Sequence, residues 1–232
     1  MERSEKLLHR EQSVLIVVDL QDVLLNAIKV GAFIAENIAL LTKIARSLEV
    51  PTVVTTQNAQ KLGGITQHLV PELENVPVID KLCFSCAGSD EFMRELQSLG
   101  RTQVVLTGIE AHICIMQTAL DLLKAGYTVH VPYDAVASRQ KRDWKYALLR
   151  MAHSGIIVTS VESVIYEWLY EAGTDQFRGI LPLLKEREQQ RLKTDEDEEH
   201  DEKSEETVSE EEESDAEEEE EQSSTSETDS EE

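Results

Sequence analysis

The chain has 232 residues, a length that suits one domain with extensions. Its 46 acidic residues against 22 Lys and Arg give a formal net charge of −24, but residues 194–232 hold 23 of the acids and one of the bases, which leaves the rest near −2. This split excludes an evenly anionic body, and it makes nucleic-acid binding through the last 39 residues electrostatically unfavourable.

The first twelve residues read as an N-terminal extension. They carry Glu2 and Glu5 and no apolar stretch of signal-peptide length. Ser13–Asp19 is a short apolar run closed by a carboxylate, the pattern of a buried parallel strand. Phe33–Leu48 has helical spacing, with Phe33, Ile34, Ile38, Leu41, Ile44, Ala45 and Leu48 on one side. Pro51 precedes a second strand, Thr52–Thr56, and Gly63-Gly64 marks a loop. Val76–Lys81 is a weaker third strand. Ser89 caps a helix that runs to Leu99 and stops at Gly100.

Thr102–Thr107 is the fourth strand, with a turn at Gly108, and Ala111–Lys124 is a helix stopped by Gly126. Tyr127–Pro132 is the fifth strand, Asp143–His153 a helix and Ile156–Thr159 the sixth strand. Ser160 caps a further helix, and a last one spans Asp175 to about Leu192. No apolar run approaches the roughly 18 residues that a membrane span requires, so a soluble cytoplasmic protein without membrane contact is expected.

Alternating strands and helices imply a three-layer α/β domain over residues 13–193: a doubly wound parallel sheet of about six strands, with right-handed crossovers. In the common order 3-2-1-4-5-6, the carboxyl ends of strands 1 and 4 flank the crevice where ligands bind. Asp19 closes strand 1, Lys81 closes strand 3, and Cys114 lies in the first turn after strand 4. Singly each has a bland explanation: a turn carboxylate, a solvated lysine, a small core thiol. Together they are complementary. A helix N-terminus and a nearby ammonium favour a thiolate, and a carboxylate can take the thiol proton and return it to a leaving amine. Cys114 is therefore expected to alkylate faster than Cys83 and Cys86, and below the ordinary thiol range. The backbone N–H groups of Glu110 and Cys114 are candidates for an oxyanion hole. His112 reads as a pocket-rim or surface residue.

Three cysteines make no disulfide framework. Cys83 and Cys86 are spaced C-x-x-C, but in a strand exit and loop, where two small buried or half-buried thiols are the plainer reading. No second pair lies at zinc-binding spacing, and no Gly-rich phosphate loop follows a strand, which sets aside a nucleotide-binding protein.

Val14-Leu-Ile-Val-Val-Asp-Leu-Gln-Asp22, Asp80-Lys-Leu-Cys-Phe-Ser85 and Thr107-Gly-Ile-Glu-Ala-His-Ile-Cys114 together resemble the isochorismatase-like cysteine hydrolases, over roughly residues 13–170. The Gly108–Ile115 segment, with Gln117-Thr118 following, looks most like the eukaryotic isochorismatase domain-containing proteins. The resemblance implies Asp19 as general base, Lys81 as stabiliser, Cys114 as nucleophile, and a cis peptide between Ile109 and Glu110. It also implies a homo-oligomer acting on a small-molecule substrate. The family's nicotinamidases carry an Asp-x-His metal motif after strand 2, where this chain reads Thr55-Thr-Gln-Asn-Ala-Gln-Lys61, so neither a metal nor another cofactor is expected. An acidic Glu110 near the pocket would disfavour anionic substrates, which turns the expectation from isochorismate toward C–N bonds of a small amide or ureide. Gln21, Gln57 and Phe84 are candidate substrate contacts.

Residues 194–232 contain only Val208 and Ala216 as apolar residues, which predicts a disordered tail. Ser209, Ser214, Ser224 and Ser226 each precede an acid by three residues, a pattern for acidophilic kinases. The alternative to an enzyme is a catalytically silent oligomeric scaffold whose tail recruits basic protein partners.

Overall fold

The computed structural model describes residues 3–188. The expected tail and its four serines lie outside them. Seven strands form one sheet: β1 (Ser13–Val18), β2 (Thr52–Gln57), β3 (Val78–Lys81), β4 (Gln103–Ile109), β5 (Thr128–Pro132), β6 (Val136–Ala137) and β7 (Ile157–Thr159). All pairings are parallel and the order is β3-β2-β1-β4-β5-β7. With β7 as the sixth expected strand, this is the order anticipated from the alternating pattern. The addition is β6, two residues long, which pairs with the end of β4 through Gly108↔Val136 and Ile109↔Ala137. A two-residue strand has no periodicity to read.

The helices are α1 (Asp22–Leu25), α2 (Gly31–Ser47), α3 (Ala59–Leu62), α4 (Asp90–Ser98), α5 (Met116–Lys124), α6 (Lys141–His153) and α7 (Val161–Leu169). Ser89 and Ser160 cap α4 and α7, accepting from the Phe92 and Ser163 amides at 3.3 and 3.1 Å. A further helix is described over 175–188. The chain divides into two units, Met1–Gly179 and the residues from Ile180 onward.

Every residue of β1 and of β4 is buried, which is why both read as unbroken apolar runs rather than alternating ones. Val14, Ile16, Val104 and Leu106 from these strands meet Phe92 and Leu96 of α4, Ala119 and Leu122 of α5, and Met151 of α6 in one core cluster. No described helix is long and apolar enough to cross a membrane.

Candidate active site

The site begins where β1 and β4 run out side by side. Val18 pairs with Gly108, whose φ is 116°. A side chain there would set its Cβ 2.0 Å from the Val18 carbonyl oxygen, so only glycine allows the two strand ends to meet this closely. The next residue on β1 is Asp19, at φ 54°, a left-handed conformation that Asp tolerates better than most residues. It turns the chain sharply. The Asp19 amide donates to the Thr55 carbonyl (3.0 Å), and the Asp19 carbonyl accepts from the Gln21 amide (2.8 Å).

The Asp19 carboxylate is gripped on both oxygens. Oδ1 accepts from the Thr55 hydroxyl at 2.8 Å and Oδ2 from Lys81 Nζ at 2.7 Å. Both side chains of this ion pair are fully buried. Lys81 also donates to Gln57 Oε1 (2.7 Å) and the Cys83 carbonyl (3.2 Å), which occupies all three of its protons. Burial pulls the ammonium down, but Asp19, backed by Cys86 and Cys114, outweighs it and holds Lys81 above its ordinary range. Lys81 is thus a locked cation behind Asp19.

Cys114 sits beyond β4 on a wide π-turn, Ala111–Ile115, which runs into α5; the continuous helix expected from Ala111 is wound this way in its first five residues. Glu110 precedes the turn in extended geometry, and the Ile109–Glu110 peptide is cis. The Cys114 thiol lies within electrostatic reach of the Asp19 carboxylate and the Lys81 ammonium. Burial pushes this thiol well above the ordinary range, repulsion from Asp19 adds to the effect, and Lys81 opposes both without prevailing. The resting thiolate expected from the sequence is therefore corrected: burial outweighs the pull of the Lys81 charge and favours the thiol.

Asp19 and Lys81, distant in sequence, thus pair directly, Cys114 lies in their electrostatic neighbourhood, and the three differ in exposure. Asp19 is 0% exposed, Lys81 3% and Cys114 6%. Cys86 is a second thiol beside the pair. It is completely buried, pushed up to about 11 mainly by burial, and its Sγ lies 3.8 Å from the Thr55 hydroxyl. Cys83 is half-buried, and all three cysteines are free.

The remaining candidates separate by what they touch. Gln21 is fully buried; its side-chain amide donates to the Gly63 and Gln57 carbonyls (2.7 and 3.2 Å) and accepts from the Gln57 backbone amide (2.8 Å). It ties loops together. Gln57 holds Lys81 through Oε1 and donates through Nε2 to the Leu82 carbonyl at 2.9 Å. Phe84 is exposed on the loop after β3. His112 Nδ1 pairs with Ser138 Oγ at 2.9 Å, which keeps its ring on the flank of the turn. Glu110, expected to repel anions, accepts instead from the backbone N–H of Arg139 (2.9 Å) and from its Nε (3.1 and 3.2 Å). Its charge is paired, so it gives no argument against an anionic substrate.

Sequence reasoning missed Thr55, the hydroxyl that fixes Asp19. The signal was available in part, since Thr55 lies near the carboxyl end of β2, where it pairs in register with Val18. It also missed Thr118 and Asp121 of α5. The Thr118 hydroxyl accepts from the Cys86 amide (2.9 Å) and the Asp121 carboxylate from the Ser85 hydroxyl (2.7 Å), and together they bind the Lys81 loop to the helix that follows Cys114.

A cavity of about 520 Å³ lies elsewhere, lined by Thr42, Arg46, Glu72, Pro77 and Arg101 among others, at the amino ends of β2 and β3. None of Asp19, Lys81 and Cys114 lines it.

The sequence profile of the isochorismatase domain matches residues 13–163. The secreted isochorismatase effector Isc1 of Phytophthora sojae is 39% identical over 179 residues, covering 75% of this chain and 85% of that protein. The human isochorismatase domain-containing protein 2 is 39% identical over 177 residues, covering 75% and 83%. Among solved structures, the ycaC gene product of Escherichia coli, described as an octameric hydrolase of unknown specificity, superposes with a TM-score of 0.75 at 20% identity, covering 84% of this chain and 98% of that one.

Proposed function

Because the chain belongs to the isochorismatase family, we propose that it is a metal-independent cysteine hydrolase that cleaves a C–N bond of a small amide or ureide, with Cys114 as nucleophile and Asp19 as the base that serves it. The observation that carries this reading is the buried Asp19–Lys81 ion pair, 2.7 Å long, within electrostatic reach of the Cys114 thiol on the turn after β4. Of the two thiols beside that pair, Cys114 alone reaches solvent.

Protons and bonds balance at each step. The Cys114 proton passes to Asp19 as Sγ attacks the carbonyl carbon. The carbonyl oxygen becomes an oxyanion facing the Glu110 and Cys114 backbone N–H groups. Asp19 returns the proton to the departing nitrogen, which leaves as amine or ammonia, and a thioester remains on Cys114. Water then attacks it, Asp19 accepts a water proton, and the acid departs as the thiol re-forms on Cys114. Lys81 lowers the cost of a charged Asp19 in a dry site and keeps its carboxylate from rotating. The first transfer is internal: it moves a proton between two groups without exchanging one with solvent, so the reactive pair forms at a frequency independent of pH while both groups keep that shared proton.

In this reading the substrate approaches the Cys114 face, with Asp19 and Lys81 working from behind it. Phe84 supplies an apolar wall at the approach, and Gln57 acts on substrate through Lys81. The domain is 13–193 and the acidic tail follows. Assembly as a homo-oligomer and a cytoplasmic location complete the proposal; three free cysteines suit a reducing compartment.

The test is a panel of neutral and anionic amides, ureides and carbamoyl compounds, incubated with the wild type and with Cys114→Ser. Turnover of a panel member, with a covalent adduct mapped to Cys114 by peptide mass spectrometry and lost in the variant, is the expected result. Turnover that survives Cys114→Ser would contradict the assignment.

A further inference from the structure

The turn that carries Cys114 is held from one side by a segment 25 or so residues further along the chain, on the order of one crossover connection. β6 pairs with the last residues of β4 and delivers Ser138 and Arg139 alongside Glu110 and His112. Three tethers result. The Arg139 backbone N–H donates to Glu110 Oε2, its Nε straddles both Glu110 oxygens, and Ser138 Oγ meets His112 Nδ1. His112 Nε2 adds a looser contact to Asp143 of α6 at 3.9 Å.

Two features set the Glu110–Arg139 pair apart from an ordinary surface ion pair. The Glu110 side chain is only 10% exposed while that of Arg139 is 57% exposed, so a buried carboxylate is answered by a cation reaching in from outside. Glu110 is also the residue from which the π-turn springs: its carbonyl accepts from the Ile113 and Ile115 amides at 3.1 and 3.3 Å. The Arg139 backbone N–H and Nε gripping the carboxylate therefore restrain the root of the turn rather than its outer surface.

We infer that Arg139 is a positioning residue for Cys114: by clamping the Glu110 carboxylate, it fixes the turn that aims the thiol at Asp19. The inference rests on the proposed transfer from Cys114 to Asp19 and deepens it. Loosening the clamp leaves the thiol in place but lowers the frequency with which it points toward Asp19. Transfers of this kind lose much of their rate through displacements of about 1 Å.

The experiment is alkylation of the full chain by iodoacetamide, with the rate at Cys114 read by peptide mapping from about pH 6 to about pH 10, on wild type, Arg139→Gln, Arg139→Lys, Glu110→Gln and the Arg139→Gln/Glu110→Gln double variant. In the wild type the rate is level near neutrality, where the internal transfer supplies the thiolate, and climbs once solvent strips the thiol directly. Arg139→Gln is expected to lower the level part about tenfold, a loss typical of a misaligned reacting pair, with the high-pH limb within about twofold of wild type. Arg139→Lys keeps the charge and the backbone N–H without the Nε donor that spans both Glu110 oxygens, and falls between. The double variant is no worse than either single change, because both break one interaction. A neutral rate unchanged in Arg139→Gln overturns the inference. So does a rate raised at every pH together with a lowered Tm, which would mean that the clamp merely shields the thiol. A wild type with no level region would defeat the underlying transfer itself, whereas a level region indifferent to Arg139 defeats the clamp alone.

Discussion

The two ends of the sheet carry similar residues to opposite effect. At the amino ends of β2 and β3, a cavity of about 520 Å³ is lined by Arg46, Arg101, Glu72 and other charged groups. Its Arg46–Glu72 pair is 2.7 Å long, with side chains 49% and 16% exposed. At the carboxyl ends, Asp19–Lys81 is also 2.7 Å long, with both side chains at 0%, and the Cys114 thiol lies within electrostatic reach of it. The distances match and the surroundings do not. The half-exposed Arg46 keeps the first pair in contact with water, which screens it and leaves it worth little even though the Glu72 Oε2 atom is itself covered; exclusion of water from both members makes each residue of the second pair dependent on the other. Open volume locates the first region, and buried, mutually committed charge locates the second.

The contrast breaks most directly by removing one cation at each end. Lys81→Met strands the Asp19 carboxylate in the core and should cost about 3–5 kcal/mol in urea unfolding. Equal stability for Lys81→Met and wild type would erase the distinction between the two ends. A smaller effect sharpens it midway along the sheet, at His130 of β5, which is fully buried with neither ring nitrogen hydrogen-bonded. Burial lowers this imidazole from 6.5 to about 4. The unfolded chain therefore binds a proton that the folded one refuses, so stability is complete above about pH 6.5, falls as pH drops, and levels off again below about 4. The loss over that window is up to about 3 kcal/mol, since each pH unit between the two titrations is worth about 1.4 kcal/mol. Unfolding curves at several pH values should show it, and His130→Leu should flatten that portion. The smallest effect belongs to the open end: Arg46→Met should change stability by about 1 kcal/mol or less.

The strand order was legible because β1 and β4 are buried on both faces and so read as unbroken apolar runs, while α2 and α4 show helical spacing or a serine cap. The pairing of Asp19 with Lys81 was legible for a related reason: in a doubly wound sheet, position at a strand end is enough to place a residue at the crevice. What escaped was everything that depends on side chains meeting at long range. Glu110 read as a free negative charge because Arg139, which neutralises it, lies 29 residues away. Gln21 and Gln57 read as substrate contacts because nothing local tells an amide that lines a pocket from one that ties loops. The upward push on the Cys114 thiol was missed for the same reason, since it comes first from burial, which long-range packing creates and which outweighs the Lys81 charge.

The central claim is that the Cys114 proton goes to Asp19 and not to solvent. The measurement that tests it is the pH dependence of Cys114 alkylation by iodoacetamide between about pH 6 and about pH 8, in wild type and in an Asp19→Asn/Lys81→Met double variant that removes both buried charges and so leaves neither stranded. The account predicts a level rate in wild type and, in the double variant, a rate that climbs about tenfold per pH unit as the buried thiol ionises to solvent. A wild-type rate climbing tenfold per unit across the same range would contradict it.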